Sequence, residues 1–103
     1  MNYKLLAYAQ DFASFLMQAL NHDADKITQL VLFGSVARGE EGKNSDIDVF
    51  VDVTDEIIEP KIINAAEKFY DSIKFKRYCS LLGVRNKINC TVGKLEEWDS
   101  LKR

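Results

Sequence analysis

Leu32-Phe33-Gly34-Ser35-Val36-Ala37-Arg38-Gly39, followed after a six-residue spacer by Asp46-Ile47-Asp48-Val49-Phe50-Val51-Asp52-Val53, decides the reading of this sequence. The apolar run Ile27 to Phe33 stops at a glycine and a hydroxyl residue, and the turn beginning there offers free backbone N–H groups to an anion such as phosphate. In the second run Ile47, Val49, Val51 and Val53 alternate with Asp46, Asp48 and Asp52, which is the period of a strand with one apolar face. Residues two apart on a strand share a face, so Asp46 and Asp48 have Cα atoms roughly 6 to 7 Å apart and project together. Both carboxylates can then reach one divalent cation, and Mg²⁺ between them relieves their repulsion and bridges to phosphates. A phosphate-binding turn beside paired carboxylates points to nucleotide chemistry.

On either side of this stretch the pattern is that of one small α/β (α+β) domain spanning residues 1–103. Leu5, Tyr8, Phe12, Phe15, Leu16, Ala19 and Leu20 recur at spacings of three and four, predicting an amphipathic helix that ends near Asn21. Pro60 fits the first turn of a second helix, in which Ile62, Ile63, Ala66, Phe69, Tyr70 and Ile73 keep helical spacing. Gly83 breaks the following stretch. Lys87 to Val92 then reads as a third strand, with Ile88, Cys90 and Val92 on its core side and Asn89 and Thr91 on the other. Leu95, Trp98 and Leu101 complete a last helical turn. The order helix, strand, short helix, strand, helix, strand implies a small mixed β-sheet with helices packed against it.

Composition narrows the class. A chain of 103 residues with 47% hydrophobic content supports a single core. A net charge of −2 argues against a broad nucleic-acid surface, because such surfaces bind chiefly through phosphate neutralisation by Lys and Arg. Cys79 and Cys90 have neither the number nor the spacing of a disulfide framework or zinc site and are expected to be reduced thiols. Lys4, Gln10, Asp11 and Gln18 interrupt the first helix, so it is neither a signal peptide nor a membrane span, and a cytoplasmic location is expected.

Each motif alone has an ordinary explanation. A Gly-Ser before a helix is usually a serine-capped turn, and an Asp-x-Asp pair usually decorates a solvated strand face. Arg38, one turn beyond Ser35, supplies a guanidinium to the same locality. His22 reads as a solvated helix-end residue and Trp98 as a core anchor. Lys74, Lys76, Arg77, Arg85 and Lys87 form a basic cluster, which in most chains is a solvated face but here offers contacts for an acceptor's phosphates.

The combination is far more specific. Leu32 to Gly39 followed by Ser45-Asp46-Ile47-Asp48-Val49-Phe50-Val51 resembles the signature of the DNA polymerase beta type nucleotidyltransferase superfamily, in particular its minimal stand-alone members. The resemblance implies that Gly34, Ser35 and Arg38 bind a nucleoside triphosphate such as ATP, and that Asp46 and Asp48 are catalytic and hold Mg²⁺. It also implies transfer of a nucleoside monophosphate to a protein or small molecule with loss of pyrophosphate. The family usually adds a third carboxylate on a later strand, where this chain has Asn89. Asparagine offers a carbonyl oxygen to a metal but neither negative charge nor a base. The resemblance therefore carries two further settings, a regulatory partner of a HEPN-type toxin and a catalytically weakened nucleotide-binding module. So short a chain has little surface for choosing an acceptor, and a partner subunit or homo-oligomer is expected to help.

Overall fold

The computed structural model describes residues 3–34, 46–79, 83–84 and 86–98. Helix α1 (Tyr3–Leu20) buries Leu5, Tyr8, Phe12, Leu16 and Leu20, one stripe at helical spacing, while Phe15 is half-buried and Ala19 exposed. Each such residue contributes about 1.5 to 3 kcal/mol when fully buried. Asn21 has φ 52°, a left-handed conformation that asparagine tolerates, and the chain leaves the helix there into the tight turn Asn21–Lys26. Among the described residues no helix is long and apolar enough to cross a membrane.

Strand β1 (Ile27–Phe33) pairs antiparallel with β2 (Ile47–Val53), and β2 pairs parallel with β3 (Ile88–Gly93). The sheet order β1-β2-β3 makes it mixed, as the sequence implies. β2 is the central strand, and Ile47, Val49, Val51 and Val53 face the core under the helices. Helix α2 (Glu59–Lys68) connects β2 to β3, with Pro60 in its first turn, where the missing N–H costs nothing. Ile62, Ala65 and Ala66 are its buried residues.

Two expectations for this helix need correction. α2 stops at Lys68, and a tight turn Phe69–Asp71 follows, so the apolar spacing does not continue as one helix. Ile73 is therefore 72% exposed, and Ile63 lies at the helix margin at 36%. Ser72 breaks the helix: its hydroxyl donates to the Phe69 carbonyl at 2.6 Å and accepts the Phe75 N–H at 3.1 Å, a local pattern that competes with helical bonding. A π-helical segment Lys74–Cys79 follows.

Phe69, fully buried, joins the two helices through ring contacts to Phe12 at 5.4 Å, Phe15 at 5.6 Å and Tyr8 at 5.7 Å. The third strand begins at Ile88 rather than Lys87, and the last turn covers Leu95–Glu97. The short helix expected after Gly34 and the packing of Leu101 fall outside the described residues.

Candidate active site

The sheet has two faces. Helices cover the face of Ile47, Val49 and Val51, whereas Asp46, Asp48, Phe50 and Asp52 project from the other. Phe50 on that second face is fully buried because Trp98 packs against it with tilted rings at 4.9 Å, and Gly93 lies close to both. Trp98 is thus the packing anchor that its sequence position suggests. At the end of the sheet where β1 finishes and β2 and β3 begin, this cover is absent among the described residues, and Asp46 is exposed and Asp48 half-buried.

Register assembles the site. Phe33 stands opposite Asp48 on β1, and Asn89 stands beside Asp48 on β3. The Asn89 amide nitrogen donates to Asp46 Oδ2 at 3.1 Å and to Asp48 Oδ1 at 3.2 Å. Two carboxylates from one strand therefore converge on a single atom of the next, as the alternation of β2 requires and the parallel pairing of β3 completes. Asn89 faces the carboxylates because Ile88 and Cys90 face the core, which matches the sequence reading of this strand.

Two tyrosines fix the start of β3. Tyr8, buried in α1, donates its hydroxyl hydrogen to the Asn86 carbonyl at 2.8 Å. Tyr70 accepts the Ile88 N–H on its phenolic oxygen at 2.9 Å. Periodicity marks both tyrosines as core residues and gives no sign of this second role, since their partners are backbone groups distant in sequence.

Gly34 closes the site from the β1 side. Its φ of +76° lies in the left-handed region, and a Cβ there would collide with the Asp48 carboxylate. The sequence reading assigns this glycine to the approach of phosphate, and the structure adds that Asp48 itself demands it. Ser35 and Arg38, the other residues expected to contact the nucleotide, lie outside the described residues.

Other candidates are not gathered here. His22 is exposed in the turn after α1. Lys74 pairs with Asp11 at 3.7 Å, Lys76 and Arg77 are exposed on the π-helical segment, Arg85 is outside the described residues, and Lys87 precedes Asn89. Lys87 is the member of the basic cluster nearest Asn89 in the sequence. Cys90 is a free thiol, pushed up to about 11 by burial.

Among the described residues no three His, Cys, Asp or Glu side chains are grouped to hold a metal. Asp46 Oδ2, Asp48 Oδ1 and the Asn89 amide nonetheless fit one. The nitrogen occupies the point on which both carboxylates converge, and rotating the amide would turn its carbonyl oxygen there, giving hard oxygen donors suited to Mg²⁺.

This site lies where an antiparallel and a parallel strand pair meet beside the left-handed Gly34. The chain belongs to the nucleotidyltransferase domain family, whose model matches residues 16–102. No curated protein and no solved structure matches it.

Proposed function

We propose that the protein transfers a nucleoside monophosphate from a nucleoside triphosphate, taken here as ATP, to an acceptor hydroxyl, with Mg²⁺ held by Asp46 and Asp48. The observation that carries this reading is the convergence of the two carboxylates on one atom of Asn89 beside the left-handed Gly34. When bound there, the cation neutralises phosphate charge and aligns the attacking and leaving oxygens.

The chain's own residues supply the rest. Gly34, Ser35 and Arg38 receive the phosphates through backbone N–H groups, a hydroxyl and a guanidinium. The acceptor oxygen bonds to the α-phosphorus, the bond from that phosphorus to the β-phosphate bridging oxygen breaks, and pyrophosphate leaves with the electron pair. The acceptor's proton passes to water, because the Asn89 amide has no basic site to take it.

That amide favours a second reading: a module that keeps nucleotide affinity but turns over slowly, alone or as regulatory partner of a HEPN-type toxin. Incubation with radiolabelled ATP, Mg²⁺ and candidate acceptors, a HEPN-like protein among them, tests both. Label on an acceptor with stoichiometric pyrophosphate supports transfer. Mg²⁺-dependent ATP binding without label supports the binding module, and neither result removes the site.

A further inference from the structure

β3 is an edge strand among the described residues. The Lys87 carbonyl accepts the Ile47 N–H at 2.8 Å, which fixes the direction of the ladder. In parallel pairing the backbone groups of one strand alternate sides, so Asn89 and Thr91 bond towards β2 while Ile88, Cys90 and Val92 direct theirs outward. Tyr70 accepts the Ile88 N–H, and beyond it the outward Cys90 and Val92 backbone groups have no strand partner among the described residues.

A cavity of about 490 Å³ lies between α2 and the first part of β3, bordered on the strand side by Lys87, Ile88, Asn89 and Cys90. Ile63, Ala66, Tyr70, Ile88 and Cys90 give it apolar walls. Glu67 and Lys87, exposed and without an ion-pair partner among the described residues, add one charge of each sign to its lining. Asn89 also borders it, so the cavity adjoins the carboxylates, but on the helix side of the strand rather than theirs.

This placement discriminates between occupants. A small molecule filling the cavity is separated from Asp46 and Asp48 by β3 itself. An added strand reaches both sides, because its side chains alternate between the two faces of the sheet. One apolar side chain enters the cavity, and its sequence neighbour projects on the carboxylate face beside Asn89, about 5 Å away across the strands. Glu67 and Lys87 complement a peptide carrying charges of both signs.

We propose that the outer edge of β3 binds an extended peptide segment of an acceptor protein by strand addition, presenting a hydroxyl side chain flanked by apolar residues to the carboxylate site. The proposal rests on the transfer reading above and names its acceptor class. The bond changes are those given there: the peptide hydroxyl oxygen bonds to the α-phosphorus, pyrophosphate leaves and the proton passes to water.

The test uses a pool of end-blocked peptides of about seven residues, a usual strand length, with Ser, Thr or Tyr at the centre between apolar residues and charges of both signs at the ends. Binding is read by selection and calorimetry, labelling by mass spectrometry with Mg²⁺ and ATP. Selected peptides should bind wild type and lose about tenfold or more affinity to Ile63→Lys, which makes the exposed cavity wall polar, and to Val92→Pro, which removes an outward donor that β2 does not use. Methylating alternate peptide nitrogens should abolish binding. Both protein variants should keep wild-type stabilisation by Mg²⁺ and ATP, which shows that they fold.

Loss of that stabilisation in wild type would overturn the transfer site. Intact stabilisation with no peptide selected, or with peptides indifferent to nitrogen methylation and to both substitutions, would overturn edge docking alone. Concentration-dependent dimerisation abolished by Val92→Pro would assign the edge to a second copy and equally overturn the proposal.

Discussion

Asn89 lies beside Asp48 on the adjoining parallel strand, its amide nitrogen 3.2 Å from the aspartate's Oδ1. The same nitrogen holds Asp46, so a neutral side chain occupies the point where the carboxylate pair would grip a cation. Asn89 satisfies the pair in the free protein, and on the proposed transfer reading it would supply no base, so nucleotide binding and turnover would separate.

Replacing both carboxylates should expose that separation. ATP with Mg²⁺ at about 100 times Kd should stabilise wild type by about 2.7 kcal/mol, since a ligand bound only by the folded state acts by mass action. Asp46→Asn with Asp48→Asn should lose the Mg²⁺-dependent part while the free protein melts no lower, because two like charges have been removed. Thermal melts over a Mg²⁺ titration check this. Equal stabilisation of both proteins would exclude these aspartates as cation ligands.

Asn89→Asp should shift both ledgers in opposite directions. Three carboxylates without a cation repel, so the free variant should melt below wild type. Its Mg²⁺ affinity should rise, and any transfer should increase by up to about 10² to 10⁴, the usual worth of a positioned base. Calorimetry with Mg²⁺ and single-turnover labelling measure the two effects. Robust wild-type transfer that the aspartate fails to improve would mean that position 89 does not limit the chemistry.

Gly34→Ala should destabilise the fold by about 1 to 2 kcal/mol from the left-handed backbone alone, with more from the clash with the Asp48 carboxylate. Displacing Asp48 should also weaken the Mg²⁺ response. Denaturant melts with and without Mg²⁺ and ATP would reveal both losses, and a variant with wild-type stability and response would show that Gly34 does not set the position of Asp48.

Asp52 should give the protein an acid-labile component. Burial pulls its carboxyl upward, but the Leu95 N–H at 2.9 Å, the Gln29 amide at 3.1 Å and Thr28 outweigh it and hold the group below the ordinary 3.8. A depressed folded value means stability present above the unfolded value and lost as pH falls through the folded one. Wild type should therefore out-melt Asp52→Asn above about pH 4 to 5, and the gap should close at lower pH. A gap independent of pH would show that the Asp52 charge is not what ties the Leu95–Glu97 turn to the sheet.

Short-range pattern in the sequence determined much of this molecule. The spacing of Leu5, Tyr8, Phe12 and Leu16, the alternation along Ile47 to Val53 and the break at Gly34 each reflect a repeat within one element, so α1, β1, β2 and β3 are legible to within a residue or two. The pairing of Asp46 with Asp48 is legible for the same reason, since both lie on one strand. Where α2 ends is not, because apolar spacing runs through Ser72 while the serine hydroxyl takes over the local hydrogen bonds. What the tertiary structure alone decided is which strands adjoin. Parallel pairing of β2 with β3 carries Asn89 to Asp46 and Asp48 across more than forty positions of chain, and tyrosines from α1 and from the turn after α2 hold it there through backbone contacts. No local repeat encodes such contacts, since they follow from long-range packing, and packing likewise sets Gly34 against Asp48 and leaves one edge of β3 without a strand partner among the described residues.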